Sequence, residues 1–225
     1  VLSQARSAGF EDDLPDGNRN FATYLSRYAN VLMELGRYER ARHYIDSGLS
    51  LRQRVLEATQ EPLDRERLAV SLVAKAALLS RLGERRQAVR PMREAVGLYR
   101  EVYPRDAFPH GHPELASILR TLAELQADAG SVSEAISAHL QAIAMFESLS
   151  DESGVARLSH AVGLAQLGRC YTEIGDYARA ESALLRASDL HRRRLQADGG
   201  PDSDRHSATC YMHLAALRKD QDNPN

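Results

Sequence analysis

Four glycines, Gly36, Gly83, Gly130 and Gly175, stand 47, 47 and 45 residues apart, and the same residue types recur around each. Eleven positions before the glycine is a leucine: Leu25, Leu72, Leu119 and Leu164. Seven before it is a small residue: Ala29, Ala76, Ala123 and Gly168. Five after it is always an alanine: Ala41, Ala88, Ala135 and Ala180. Nine after it stands Ile45, Met92, His139 or Leu184, and twelve after it Gly48, Ala95, Ala142 or Ala187. A period of this length constrains the fold more than composition does, because each period must be one unit that packs on its neighbours. Large apolar and small residues three and four apart draw a helical stripe. Small residues at a crossing let two helix backbones approach closely. A glycine between two stripes ends the first helix in the left-handed conformation that a Cβ disfavours. Each unit is therefore a helix, a tight turn and an antiparallel helix. One such hairpin cannot bury its apolar faces alone, so neighbours stack into an all-α solenoid.

Breakers separate the units: EPLD at 61–64, PRDAFPHGHP at 104–113, SDESG at 150–154 and DGGPDSD at 198–204. Hairpins are expected over 18–59, 64–103, 112–149 and 155–197. His112-Pro113-Glu114 reads as a helix start, with proline in the first turn. Residues 203–219 repeat the first-helix pattern, with Tyr211 and Ala215 in its columns, and 220–225 form a tail. Residues 1–17 read as the remnant of a preceding second helix and its loop. Both ends cut through the repeat, so a longer parent protein is expected.

Charge and composition exclude several functions. The 225 residues carry a formal net charge of −2, with 43% hydrophobic and 27% charged residues. Nucleic-acid binding by this segment is not expected without a strong basic excess. No apolar run approaches the roughly 20 residues that span a bilayer, and VLSQARSAGF lacks the regions of a secretory signal. No membrane association and a cytoplasmic location are the expectation. Lys75 and Lys219 are the only lysines. With many alanines, that arginine excess reads as the coding bias of a GC-rich, bacterial genome; the alternative is selection for carboxylate or phosphate forks. Cys170 and Cys210 cannot build a disulfide framework. The histidines show no four-ligand clustering of the kind a structural zinc needs, so no metal is expected. His139 stands in a packing column and reads as a hydrogen-bonded core residue. GxxxxGK[ST], GxSxG and HExxH are all absent, so neither an enzyme nor a cofactor is expected. Paired carboxylates such as Asp151 and Glu152 read as helix caps.

The columns resemble the tetratricopeptide repeat. In the fourth unit, LAQLGRCYTEIGDYARAESALLRA carries Leu164, Leu167, Gly168, Tyr171, Gly175, Tyr177, Ala180, Leu184 and Ala187 at the family spacing. The first unit matches through Leu25, Tyr28, Ala29, Leu32, Gly36, Tyr38 and Ala41. Lys75 replaces an apolar residue in the second unit, and Gln126 an aromatic or leucine in the third. The long repeat and the HPELA segment at His112 look like the kinesin-light-chain-like subfamily.

The resemblance covers roughly residues 18–219 and implies a right-handed superhelix whose first helices line a concave groove for a peptide or protein segment. By the family geometry, groove positions lie ten, nine, six and three residues before each glycine. Among them Arg27, Asn30, Arg120, Glu124, Gln166, Arg169 and His213 have the chemistry to hydrogen-bond an extended backbone or fork a carboxylate. Glu124, one turn from Arg120, has the alternative role of holding that arginine internally. The carboxylate clamp of chaperone-tail binders is not matched, since Ser26 and Ala74 stand where it needs a lysine and an asparagine. Three functions follow: a protein- or peptide-binding module, the effector-sensing arm of a larger bacterial signalling or transcription-regulatory protein, or a self-associating scaffold.

Overall fold

The structure, a computed structural model, describes residues 15–149 and 154–198. Among the described residues eight helices follow one another: α1 (Pro15–Glu34), α2 (Tyr38–Thr59), α3 (Pro62–Arg81), α4 (Arg85–Val102), α5 (Pro113–Asp128), α6 (Val132–Leu149), α7 (Gly154–Glu173) and α8 (Tyr177–Asp198). There is no strand among the described residues. Consecutive helices pair as hairpins, α1 with α2, α3 with α4, α5 with α6 and α7 with α8. The chain forms two compact units, residues 1–104 and 105–225. In the first, α2 also packs on α3; in the second, α6 packs on α7, and α5 also touches α7. Two helices start earlier than the breakers suggest. Pro15 and Pro62 are the first residues of α1 and α3, because proline's preset φ and missing N–H suit a first turn. The half-repeat expected at 203–219 and residues 1–14 lie outside the described residues.

Each glycine turn is built the same way. Gly36, Gly83, Gly130 and Gly175 have φ of +70°, +80°, +86° and +77°. In the first turn, the Gly36 N–H donates to the Met33 carbonyl at 3.0 Å and the Arg37 N–H to the Leu32 carbonyl at 2.8 Å. The same pair of bonds recurs at Gly83 and Glu84, at Gly130 and Ser131, and at Gly175 and Asp176. These close the last carbonyls of the first helix and reverse the chain within a few residues. The α5 start is also closed locally: the Glu114 N–H donates to His112 Nδ1 at 3.3 Å, with Pro113 next to the cap.

The small-residue columns lie where the paired helices cross. Ala29, Ala41, Ala76, Ala88, Ala95, Ala123, Ala135, Ala142, Ala180 and Ala187 are all fully buried. At Gly168 the approach is closest: a Cβ there would lie 2.7 Å from Leu184 Cγ and 3.3 Å from the Ala180 carbonyl oxygen. Around that crossing, Ile143, Leu164, Leu167 and Tyr171 form one apolar cluster with Ala180 and Ala187. One stripe of α1 is left open. Tyr24, Tyr28, Val31 and Leu35 are 60%, 40%, 49% and 63% exposed. The corresponding Ser71 and Leu78 of α3 are buried, in a helix packed on α2.

A polar staple joins the two hairpins of the first unit. Asp64, on α3, is almost fully buried. Arg19 of α1 donates to it from Nε at 3.0 Å and from Nη2 at 2.5 Å, the Thr59 hydroxyl of α2 donates at 2.7 Å, and Arg67 donates at 3.3 Å. The Arg19 bond is the main reason the Asp64 carboxyl sits below its ordinary range.

Two stability predictions follow from these contacts. Ala180→Leu must force the α7–α8 crossing apart and is expected to cost roughly 1–3 kcal/mol. Urea unfolding of the variant checks this, and an unchanged midpoint would remove the column from the crossing. Asp64→Ala strands three cationic or hydroxyl donors around a buried position. With both arginines partly in solvent, a loss of about 2–4 kcal/mol is expected in the same measurement.

Candidate functional site

The first-helix positions off the packing stripe are presented separately in the two units. In the first unit, Arg27 and Asn30 lie on successive turns of α1, and both are exposed. Neighbouring positions of α3 carry the small side chains of Val73, Ala74, Ala77 and Ser80. This face thus offers one guanidinium and one amide beside a low-relief apolar surface. The amide can give and take a hydrogen bond with a peptide backbone.

In the second unit the structure brings four of the expected residues together on α5 and α7. Glu124 accepts from Arg120 one turn earlier on α5 and from the Gln166 amide across on α7. Arg169 Nη2 lies 3.9 Å from Asp128 Oδ1, a looser pair that also crosses between the helices. Arg120 is the more enclosed of the two arginines: its aliphatic stem packs against Gly163, and its side chain is 21% exposed. The Arg169 side chain is 51% exposed. The internal role weighed for Glu124 is therefore the one it holds here. Arg120, Glu124 and Gln166 form a fixed polar ridge, and Arg169 is the cation that projects from it. His213 lies outside the described residues.

Beneath this ridge is His139 of α6, fully buried. Burial, then the nearby Arg120 and Arg169 charges, push its pKa down to about 4. Neither ring nitrogen has a hydrogen-bond partner in the protein, which corrects the expectation of a hydrogen-bonded core histidine. Cys170 is buried as well, and burial pushes its thiol up, so it packs as a hydrophobe. No cluster of three histidine, cysteine or carboxylate side chains able to hold a metal occurs among the described residues.

Sequence reasoning missed Asp128 as the partner of Arg169. Its position, two before the glycine, is not a column that the repeat marks. The Arg120–Glu124 pair was visible in the four-residue spacing, but the Gln166 bond needed the placement of α7 beside α5.

His139 generates a prediction at two pH values. Its folded pKa of about 4 lies below the ordinary 6.5. Between those values the unfolded chain binds more protons than the folded one. Stability is thus complete above pH 6.5 and falls as pH drops towards 4, by about 3 kcal/mol from this group. His139→Leu is expected to shrink that acid loss. At pH 7 it is expected to stabilise by about 1–3 kcal/mol, because two unpaired buried nitrogens are removed. Denaturant midpoints at pH 7 and pH 5 check both, and destabilisation at pH 7 would show that the imidazole makes a stabilising bond.

Known proteins place this fold. The tetratricopeptide repeat family matches residues 21–60, 68–114 and 162–192. Residues 109–168 match the family of anaphase-promoting complex subunit 5. No curated protein sequence matches the chain. Among solved structures, the chain is similar to the kinesin light chain nearly identical TPR-like repeats of Podosopora anserina, at 17% identity and a TM-score of 0.68, with 91% of each chain covered. It is similar to BtubC (BKLC) from P. vanneervenii, at 19% identity and a TM-score of 0.62 over 100% of this chain and 90% of that one. A third likeness is to a signal transduction ATPase with numerous domains and a tetratricopeptide repeat sensor from Pyrococcus horikoshii. That match has 15% identity and a TM-score of 0.64, covering 94% of this chain and 29% of the ATPase. With its repeat columns, its glycine turns and these matches, the chain belongs to the tetratricopeptide repeat family.

Proposed function

We propose that the chain binds an extended segment of a partner protein on the exposed faces of its first helices. Tetratricopeptide repeats are protein-interaction modules, and their fold is generally a non-catalytic scaffold. The observation that carries the finer reading is the projection of Arg169 beside the fixed ridge of Arg120, Glu124 and Gln166. The ridge is held by bonds within the protein, so it is already ordered before a partner arrives, which lowers the entropic cost of binding. Arg169 forks a carboxylate of the partner, and Arg27 and Asn30 supply a cation and a backbone-pairing amide on the first unit. No helix among the described residues is long and apolar enough to cross a membrane.

Two other readings have an observation behind them. Likeness to the sensor-bearing ATPase supports a role as the effector-reading arm of a larger signalling protein. The open stripe of Tyr24, Tyr28, Val31 and Leu35 supports self-association; light scattering across a concentration range tests it, with a constant monomer mass counting against it.

The first-helix reading is tested by capture from a lysate of the parent organism. The wild type is compared with Arg120→Ala/Arg169→Ala and with a second-helix control, Arg192→Ala/Arg193→Ala. The double variant is expected to lose the partner and, because the Arg120–Glu124 pair is mostly enclosed, to melt somewhat lower. Arg169→Ala alone, whose pair with Asp128 is about half exposed and worth about 0–1 kcal/mol, is expected to weaken the partner with little change in melting temperature. If the control loses the partner and the first-helix variant keeps it, the interaction surface is on the second helices.

A further inference from the structure

The first unit carries an open groove of about 790 Å³ on the opposite, second-helix side. It lies between α2 and α4, with α3 as its floor. Leu49, Leu72, Leu79 and Pro91 give it an apolar base. The groove opens where Lys75 replaces the apolar residue of its column. Instead of filling the base, the Lys75 ammonium turns outward to Asp46 Oδ1 at 2.8 Å, as a long charged side chain does when its stem packs on apolar surface.

Two features of the lining point to the occupant. The first is charge. Four cations, Arg42, Lys75, Arg86 and Arg90, face two carboxylates, Asp46 and Glu94, in a chain whose net charge is −2. Arg42 is held by Glu84 and Arg90 by Glu94, while Arg86 is exposed and holds no ion pair among the described residues. A shallower hollow continues along α4 past Arg93. The second feature is hydrogen-bonding capacity. Gln87 and Gln53 both line the groove and their amides donate and accept. An inorganic anion would use the cations and the amide donors but neither the amide acceptors nor the apolar base. An extended peptide uses the cations, the amides and the apolar base together.

We propose that this groove binds a short, extended acidic peptide segment, with an apolar side chain on the Leu49–Leu72–Leu79 base and its carboxylates on Arg86 and Arg90. The site is separate from the first-helix face, and the proposal does not depend on that face binding anything.

The test is fluorescence anisotropy with three labelled octapeptides: DDEFLEDD, its neutral analogue NNQFLQNN, and DDEGGEDD, which keeps the charge and loses the anchor. Wild type is expected to bind the first in a salt-sensitive manner and each of the others at least about tenfold more weakly. Arg86→Glu/Arg90→Glu, both exposed positions, should lose at least about tenfold in affinity for DDEFLEDD, and Arg169→Ala should lose none. Lys75→Leu restores the apolar column and fills the base. It should weaken the same peptide while keeping or raising the melting temperature, which a loss by misfolding would not do. Equal binding of the charged and neutral peptides, unchanged binding by the Arg86/Arg90 variant, or no binding of DDEFLEDD at roughly millimolar concentration would each overturn the proposal. Equal binding of DDEGGEDD would reduce the site to a charge patch and overturn it likewise.

Discussion

The closeness of helix approach at the alanine columns is the constraint on which the rest of the structure depends. An alanine at the crossing lets the partner helix come near enough for the flanking leucines to enter its grooves. The ten alanines of these columns have no solvent exposure at all. Their own burial contributes modestly, since each side chain is one methyl group. Their effect is on every larger residue beside them: a wider crossing would leave Leu164, Leu184 or Met92 partly solvated and would open voids in a tightly packed interior. The glycine turns serve the same end. By closing the first helix within one left-handed residue, they return the chain early enough for its alanine five positions on to face the small residue seven positions back.

With the hairpins fixed by apolar crossings, buried polar groups set how neighbouring hairpins meet. Asp64 takes donors from α1, α2 and α3, so it ties both hairpins of the first unit. Glu124 takes donors from α5 and α7 in the second. In both cases a carboxylate on one first helix is bonded to a side chain on another first helix. Apolar surfaces between hairpins tolerate small slips, whereas a carboxylate with several directional donors has one best register. The same bond that sets the register of α5 and α7 also withdraws Glu124 and Gln166 from easy access. Arg169, held only loosely, is left as the group with the freest reach.

The hairpins were legible because their determinants are local and periodic. Spacing alone carried the glycine turns and the alanine crossings, and proline with its capping histidine marked the start of α5. The open stripe on α1 was not legible, since Tyr24, Val31 and Leu35 look like packing residues in any first helix. The corresponding Ser71 and Leu78 are buried in a helix that packs on α2, and that difference depends on the neighbouring helix rather than on the residues themselves. The ridge was legible in part, through the Arg120–Glu124 spacing. Gln166 was expected on the groove face, but its bond to Glu124 and the pairing of Arg169 with Asp128 were not legible, because contacts about 40 residues apart depend on how far one hairpin is displaced from the next.

Three residues that break the apolar columns show how side-chain chemistry decides the outcome. Lys75 has a flexible four-carbon stem, so its charge reaches solvent and Asp46 and the column opens into a groove. Gln126 is shorter and its column is buried; its amide donates to Glu134 at 3.0 Å, while its carbonyl oxygen has no partner. His139 is rigid and central, reaches neither solvent nor a partner, and is therefore held neutral. Reach decides among the three. A polar group that can extend makes a surface feature, one that can extend partway makes a partial bond, and one that cannot extend lowers the stability of its own repeat. Lys75 lines the groove of the first unit as a long side chain standing in a column built for a short apolar one. Its position on the second-helix side follows from that column packing α3 against α2.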